Sequence, residues 1–142
     1  MILIDTDPAT FRKYPDSDRG RRFINRLENL PKSEVVSVAI VTVEERMRGW
    51  LAVISKEKTV LRQVVGYREL IDLFAFYLEF TIVPFDEAAA RRFDDLRAQR
   101  IRLGTMDLKI AAIALVNNAL LLSPNRSDFE SVPGLRFENW LD

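Results

Sequence analysis

The chain has 142 residues, of which 48% are hydrophobic and 30% are charged, and its 21 Lys and Arg balance its 21 Asp and Glu. This length predicts one domain, and the sequence has neither a membrane-spanning apolar run nor a signal peptide, so we expect a cytoplasmic protein without a membrane partner. The absence of His and Cys excludes thiolate nucleophiles, Ser-His-Asp triads and the usual zinc sites. Any catalysis must therefore use carboxylates, hydroxyls, cationic side chains or a metal that prefers oxygen ligands.

The N-terminal third alternates predicted strands with a predicted helix. A short apolar run over residues 2–4 predicts a buried strand that ends at Asp5. Ser17 is a typical N-cap, and the apolar spacing after it predicts a helix over 18–30, which the next proline stops. The β-branched residues over 35–41 predict a second strand.

Two consecutive helices are predicted in the middle of the chain. Thr42 and Glu45 have the spacing of a capping box, which predicts a helix over 43–54. The second helix carries apolar residues three or four positions apart over five turns: Val60, Val64, Tyr67, Ile71, Phe74 and Leu78. This stripe predicts an amphipathic helix whose apolar face joins the core or contacts a protein partner.

The C-terminal part returns to alternating elements. Residues 81–85 predict a third strand, and Asp86 can cap the helix that follows it. Thr105 can cap the next helix, which ends near the Asn pair before a fourth strand over 120–123. A short fifth strand is predicted over 135–137. Strands separated by helices predict an α/β fold with a parallel sheet covered by helices on both faces.

Acidic residues follow the predicted strands at one edge of this sheet. Asp5 and Asp7 come directly after the first strand, Glu45 follows the second, and Asp128 follows the fourth. Asp107 begins the helix that leads into the fourth strand, so it starts at the same edge. Ligands of parallel sheets bind outside the carboxyl ends of the strands, which is where these acids converge.

Clustered carboxylates need a partner of opposite charge. Two carboxylates about 5 Å apart repel each other by about 3 kcal/mol at an effective dielectric constant near 20. Mg²⁺ or Mn²⁺ would relieve this repulsion, because both ions prefer oxygen ligands and bridge to substrate phosphates. One or two such ions can activate a water for attack on a phosphodiester. The acidic edge therefore predicts a site for a divalent cation, which could serve the hydrolysis of a phosphodiester.

Each acid also has a purely structural interpretation. Asp5 and Asp128 could be turn residues, Asp7 could cap a short helix, and Glu45 could serve only the capping box. Asp107 could interact only with the helix dipole. Only their joint position at one edge of the sheet favours a metal site.

Four motifs along the chain resemble those of PIN-domain ribonucleases and, within them, the VapC toxins of prokaryotic toxin–antitoxin pairs. They are IDTD over 4–7, TVEE over 42–45 followed by Gly49, GTMD over 104–107 and NRSDF over 125–129. The resemblance covers nearly the whole chain and rests on the order and spacing of the motifs. Ser123 and Pro124 depart from the family, in which Thr and a polar residue are commoner.

The resemblance implies a single PIN-like domain over residues 1–142, with a three-layer α/β/α sandwich around a parallel sheet of four to five strands. It further implies an endoribonuclease dependent on Mg²⁺ or Mn²⁺, usually a homodimer, whose substrate is RNA and whose inhibitor is a cognate antitoxin. The family's catalytic metal ligands fall on Asp5, Glu45, Asp107 and Asp128. The supporting positions are Asn125, Asp7 and Thr6.

Other interpretations of the same acids remain open at this stage. A haloacid-dehalogenase-like phosphatase would use Asp5 as nucleophile and Asp7 as general acid. A Mg²⁺-binding phospho-receiver domain, which is a signalling module, would phosphorylate Asp86. A binding module with a vestigial site is a third alternative.

Two groups of basic residues could contact RNA phosphates, or could simply be solvated helix faces. Arg46, Arg48 and Lys109 lie near the proposed ligands in sequence. The second group contains Arg91, Arg92, Arg97, Arg100 and Arg102.

Overall fold

A computed structural model of the protein describes residues 1–6, 8, 17–124 and 129–139. The strands in this part are β1 (Ile2–Ile4), β2 (Val36–Ala39), β3 (Thr81–Val83), β4 (Leu120–Leu122) and β5 (Arg136–Glu138). The helices with assigned bounds are α1 (Asp18–Glu28), α2 (Ile40–Lys56), α3 (Val60–Tyr77), α4 (Glu87–Ala98) and α5 (Thr105–Val116). None of these helices is both long enough and apolar enough to cross a membrane.

The strands form one five-stranded sheet in the order β3-β2-β1-β4-β5. All neighbouring strands are parallel, and Ile2 of β1 pairs with Val36 of β2 on one side and with Leu120 of β4 on the other. The chain leaves β1 towards β2 and later returns to the opposite side of β1 with β4. The carboxyl ends of β1 and β4 therefore border the point where strand order reverses, which is the usual ligand crevice of such sheets.

Alternate residues of the strands contact helices on opposite faces of the sheet. Leu3, Ala39 and Leu121 lie in one apolar cluster with residues of α4 and α5. On the other face, Ile4 packs with Phe23 of α1, and Val38 packs with Leu73 of α3. Because side chains alternate along a strand, helices cover both faces of this sheet. The predicted three-layer α/β/α fold is confirmed, with five parallel strands.

Two helices have the side-chain N-caps that the sequence predicts. The Ser17 side chain accepts a hydrogen bond from Gly20 N at 3.0 Å and caps α1. The Asp86 carboxylate accepts one from Ala89 N at 3.0 Å and caps α4. These caps form between residues three positions apart, so the sequence pattern is sufficient to predict them.

Two predicted N-caps are wrong. The second strand ends at Ala39 and α2 begins at Ile40, so Thr42 is inside the helix and the capping box does not form. The neighbouring strands are only three residues long, and β2 has no pairing partners beyond Ala39. Tertiary context therefore overrides the β-propensity of the residues that follow. At α5, Gly104 is the N-cap and Thr105 is the first helical residue.

The apolar stripe of α3 lies at the surface and not in the core. Its six side chains are exposed by between 38% for Val64 and 81% for Val60. The buried residues of α3 are Gly66, Leu73 and Tyr77, on another face of the helix. The 3.6-residue period identified the helix correctly, but the stripe remains available for a protein partner.

Candidate active site

Asp5 occupies the carboxyl end of the central strand and is held there by β4 and the residue after it. Its backbone N–H donates a hydrogen bond to the carbonyl of Leu122 at 2.9 Å. The hydroxyl of Ser123 donates a hydrogen bond to Oδ2 of Asp5 at 3.2 Å. Both partners lie at the end of β4, so Asp5 sits at the crevice where strand order reverses.

The surroundings of Asp5 disfavour its charged form. Burial raises the pKa of the Asp5 carboxyl from its ordinary value of 3.8 to about 6, and the negative charges of Asp107 and Glu45 contribute to the rise. The hydrogen bond from Ser123 and the positive charge of Arg46 act in the opposite direction on this pKa. A partly buried acid with a raised pKa beside two further acids is typical of a functional site.

Asp107 and Glu45 reach this edge from different helices. Asp107 is half-buried in the first turn of α5, and Glu45 is exposed in the second turn of α2. Both act electrostatically on Asp5, as the predicted convergence requires. The adjacent Glu44 instead forms an ion pair with Arg48 one turn along the helix. Glu44 thus has a partner on its own helix, whereas the charge of Glu45 acts on Asp5.

Electrostatic proximity is not the same as a closed ligand set. Within the described ranges of the chain, no three acidic side chains are grouped closely enough to hold one metal ion. Three predicted site residues, Asp7, Asn125 and Asp128, lie outside the described residues. Asp5, Glu45 and Asp107 therefore form a loose acidic edge in the described part of the site.

Thr6, a predicted supporting residue, is buried beside Asp5 and is only 2% exposed. Its backbone carbonyl accepts a hydrogen bond of 3.0 Å from the hydroxyl of Tyr77, the last residue of α3. Its own hydroxyl is buried without a hydrogen-bond partner among the described residues. The contact that Thr6 makes next to the site is therefore through its backbone carbonyl.

The candidate phosphate-binding cations have different surroundings. Arg46 lies near enough to lower the pKa of Asp5. Arg48 is paired with Glu44, and the Lys109 ammonium lies 5.6 Å from the centre of the Phe85 ring. The charge of Arg46 therefore acts on Asp5 at the acidic edge.

In the second basic group, Arg91 pairs with Glu87, and the Arg97 guanidinium lies 5.6 Å from the centre of the Phe93 ring. These contacts are those of a solvated helix face.

Two residues of the site were not identified as site residues from the sequence. Ser123 stood out only as a departure from the family, although its hydroxyl contacts Asp5. Tyr77 lies outside the apolar stripe of its helix. The one feature of the sequence that could have indicated its contact near the site is its hydroxyl group. A buried tyrosine usually places its hydroxyl on a hydrogen-bond partner, but the sequence does not say which one.

Comparison with known proteins agrees with this architecture. A family model described as PIN domain matches residues 2–135. The chain is 28% identical to Ribonuclease VapC2 of Rickettsia felis, over 99% of this chain and 98% of that protein. It is 26% identical to the tRNA(fMet)-specific endonuclease VapC of Shigella flexneri, over 98% of this chain and 97% of that protein.

Solved structures of toxin–antitoxin complexes share the fold. The DNA-bound VapBC from Salmonella typhimurium aligns with a TM-score of 0.72 and 24% identity, over 99% of each chain. VapBC-1 from nontypeable Haemophilus influenzae aligns with a TM-score of 0.71 and 18% identity, over 99% of this chain and 98% of that chain. Because both sequence identities are below 25%, these alignments show a shared fold and nothing further.

Proposed function

Because this chain belongs to the PIN-domain family, whose model matches residues 2–135, we propose that it is a metal-dependent endoribonuclease and the toxin of a toxin–antitoxin pair. Two relatives that align over nearly the whole chain are named as a ribonuclease and a tRNA-specific endonuclease. The proposed substrate is RNA, and the proposed place of action is the cytoplasm, where cellular RNA is available. We propose that residues 1–142 form a single PIN-like domain.

One observation carries this proposal, namely the position of Asp5 with its two acidic neighbours. Asp5 lies at the carboxyl end of the central strand, where burial raises its pKa and repulsion by Asp107 and Glu45 adds to the rise. Such repulsion destabilises the folded protein unless a cation or a proton relieves it. In a nuclease site, the same negative charges attract a cation, which relieves the repulsion and interacts with the phosphodiester.

The chemistry of these side chains fits a hard divalent cation, and we propose Mg²⁺ or Mn²⁺. Asp5, Glu45 and Asp107 offer carboxylate oxygens only, which both ions prefer. Asp128 is proposed as the fourth ligand, and Asn125, Asp7 and Thr6 are proposed as supporting residues. When bound, such an ion polarises the phosphodiester and makes water a better nucleophile at neutral pH.

The protein's own groups would position the RNA around this edge. Ser123 orients the Asp5 carboxylate by donating to Oδ2. Arg46 supplies positive charge near Asp5 and is proposed to contact an RNA phosphate. Its charge would partly offset the repulsion between the acidic edge and the phosphate backbone.

The alternatives derived from the sequence are less well supported. The Asp86 carboxylate of the receiver interpretation is engaged as the N-cap of α4. The phosphatase interpretation depends on Asp7 and gives Glu45 no role, although the charge of Glu45 acts on Asp5. A vestigial site would not need to retain three acids at one edge.

We propose a cognate antitoxin and a second copy of the chain as protein partners. The exposed stripe of α3 is apolar over most of the helix, with Ile71 68% exposed and Leu78 76% exposed. A shallow groove also runs along α2, lined by the apolar residues Ile40, Val43, Met47 and Leu51 together with the Glu44–Arg48 pair. Apolar surfaces of this kind typically mark protein–protein contacts.

The nuclease proposal is tested by incubating the purified protein with RNA in EDTA, Mg²⁺ or Mn²⁺. We expect cleavage only with a metal, and we expect Asp5→Asn to reduce it by at least about 100-fold. Asp94→Asn is the matched control, because it neutralises an exposed acid on α4 and should cleave like the wild type. Mn²⁺ should also stabilise the wild type by about 1.4 kcal/mol at ten times its dissociation constant.

Cleavage that survives both EDTA and Asp5→Asn would contradict the metal-nuclease proposal. Release of phosphate from small phosphate esters without RNA cleavage would favour the phosphatase instead. Labelling of Asp86 by acetyl phosphate would favour the receiver domain.

A further inference from the structure

We propose that Tyr77 is a positioning residue of the active site, because it holds the backbone directly after Asp5 through its hydrogen bond to the Thr6 carbonyl. The inference rests on the proposed metal-nuclease function and deepens it. Among the described residues, the hydroxyl of Tyr77 contacts the backbone carbonyl of Thr6. Its effect on metal and substrate passes through the backbone that carries Asp5.

The geometry of this contact is that of a rigid anchor. Tyr77 is 2% exposed and packs with Val38 and Leu73, and its ring meets that of Phe76 edge-on at 5.1 Å between centroids. Its hydroxyl donates to the Thr6 carbonyl at 3.0 Å in a buried environment, across 71 residues of sequence. A ring fixed on all sides leaves its hydroxyl little freedom of direction.

The hydrogen bond from Tyr77 lies just beyond the end of β1, where the pairing with neighbouring strands stops. The pairing between β1 and β4 ends at Ile4, and the Asp5 N–H makes the next bond to Leu122. Tyr77 then binds the carbonyl of the residue that follows Asp5. Asp5 and Thr6 thus lie between two anchored peptide groups, which limit the directions in which the Asp5 carboxylate can leave the backbone. Groups that orient metal ligands in this way commonly change metal affinity or activity by about 10- to 100-fold when removed.

Loss of the Tyr77 hydroxyl could also act by lowering the overall stability of the protein. A control variant must therefore lose a comparable buried hydrogen bond away from the site, and Ser37 provides it. Ser37 is fully buried, and its hydroxyl donates to the carbonyl of Ile2 at 2.9 Å. This bond also runs from a side chain to a carbonyl of the β1 region, but it lies at the end of β1 away from Asp5. Ser37→Ala therefore removes a comparable buried hydrogen bond without touching the site.

The experiment compares Tyr77→Phe and Ser37→Ala with the wild type by Mn²⁺ titration and by RNA cleavage. Tyr77→Phe keeps the ring and removes only the hydroxyl. We expect it to weaken Mn²⁺ binding by about 10-fold and to lower kcat by a similar factor, with a smaller change in KM. Ser37→Ala should remain within about twofold of the wild type in Mn²⁺ affinity and in kcat. If either variant is partly unfolded, all three proteins are titrated in sucrose, which favours the folded state.

Wild-type Mn²⁺ affinity in Tyr77→Phe would overturn the inference, and so would equal losses in both variants, because these would indicate a general loss of stability. Failure of the wild type itself to bind Mn²⁺ or to cleave RNA is a separate outcome. It would overturn the proposed function and, with it, the role of Tyr77.

Discussion

The hydroxyl of Ser123 donates a hydrogen bond to Oδ2 of Asp5 at 3.2 Å, although 118 residues separate them in sequence. The bond connects the ends of β1 and β4 and stabilises the ionised form of Asp5, which burial disfavours. Asp5 must be ionised to hold a cation. The ability of the site to bind metal near neutral pH should therefore depend on Ser123.

Ser123→Ala should raise the pKa of Asp5 further and shift the pH dependence of Mn²⁺ binding towards alkaline pH. A hydrogen bond to a charged group contributes about 1.5–3 kcal/mol, partly offset here by exposure to water. We expect about a 3- to 10-fold loss of Mn²⁺ affinity at pH 6.5, with recovery above pH 8. Isothermal titration over this pH range measures the effect.

The control for this variant is Ser55→Ala, whose hydroxyl bonds the Ala52 carbonyl on the exposed side of α2. It should leave the pH dependence unchanged. A Ser123→Ala profile that coincides with that of the wild type would show that the bond does not affect Asp5 ionisation.

Asp5→Asn should stabilise the metal-free protein at neutral and alkaline pH. The pKa of Asp5 is raised in the folded state from 3.8 to about 6, so the unfolded chain loses this proton at lower pH than the folded protein. Stability therefore falls as pH rises from about 4 to about 6, and the ionised carboxylate then costs as much as about 3 kcal/mol. Asn remains neutral and avoids this cost.

Urea unfolding in EDTA at pH 3.5 and pH 8 measures this difference. The gain of Asp5→Asn should be near zero at pH 3.5 and greatest at pH 8. Destabilisation by Asp5→Asn at pH 8 would contradict the raised pKa.

Gly66→Ala should destabilise the packing of α3 against α2. A Cβ at Gly66 would lie 2.4 Å from Cγ1 of Ile54, whose side chain is buried, so either this side chain or one of the helices must shift. Overpacking of this kind costs about 1–3 kcal/mol. Chemical denaturation should give this loss in the free energy of unfolding.

The opposite result is expected for Gly49→Ala. A Cβ at Gly49 meets no atom within 4 Å, and the residue lies inside α2. Alanine should therefore stabilise the helix by about 0.5–1 kcal/mol. Equal effects of the two substitutions would contradict the tight contact at Gly66.

Ile71→Glu should weaken self-association without destabilising the monomer. Ile71 is 68% exposed in the apolar stripe of α3, so a charge there loses no core contact and should change monomer stability by less than about 0.5 kcal/mol. In a protein interface the same charge would be desolvated and costly. Sedimentation over a range of concentrations measures the dimer.

Arg62→Glu serves as the control, because it changes the charge at an exposed position of α3 outside the stripe. It should leave the dimer intact. Dimerisation of Ile71→Glu at wild-type concentrations would show that the self-association surface lies elsewhere.

The features that the sequence alone determined are those with local causes. Ser17 and Asp86 cap their helices through bonds to residues three positions away, and the buried run over 2–4 forms the central strand. The alternation of strands and helices determined the parallel sheet, which places Asp5 at its carboxyl edge. The approach of Asp107 and Glu45 to Asp5 followed from that topology.

Tertiary structure decided the features that depend on distant partners. Short neighbouring strands end β2 at Ala39, which places Thr42 inside α2, and packing buries Leu73 while leaving the stripe of α3 exposed. The hydrogen bonds of Ser123 to Asp5 and of Tyr77 to Thr6 cross 118 and 71 residues. No local pattern encodes such bonds, because they form only when packing brings the ends of β1, β4 and α3 together.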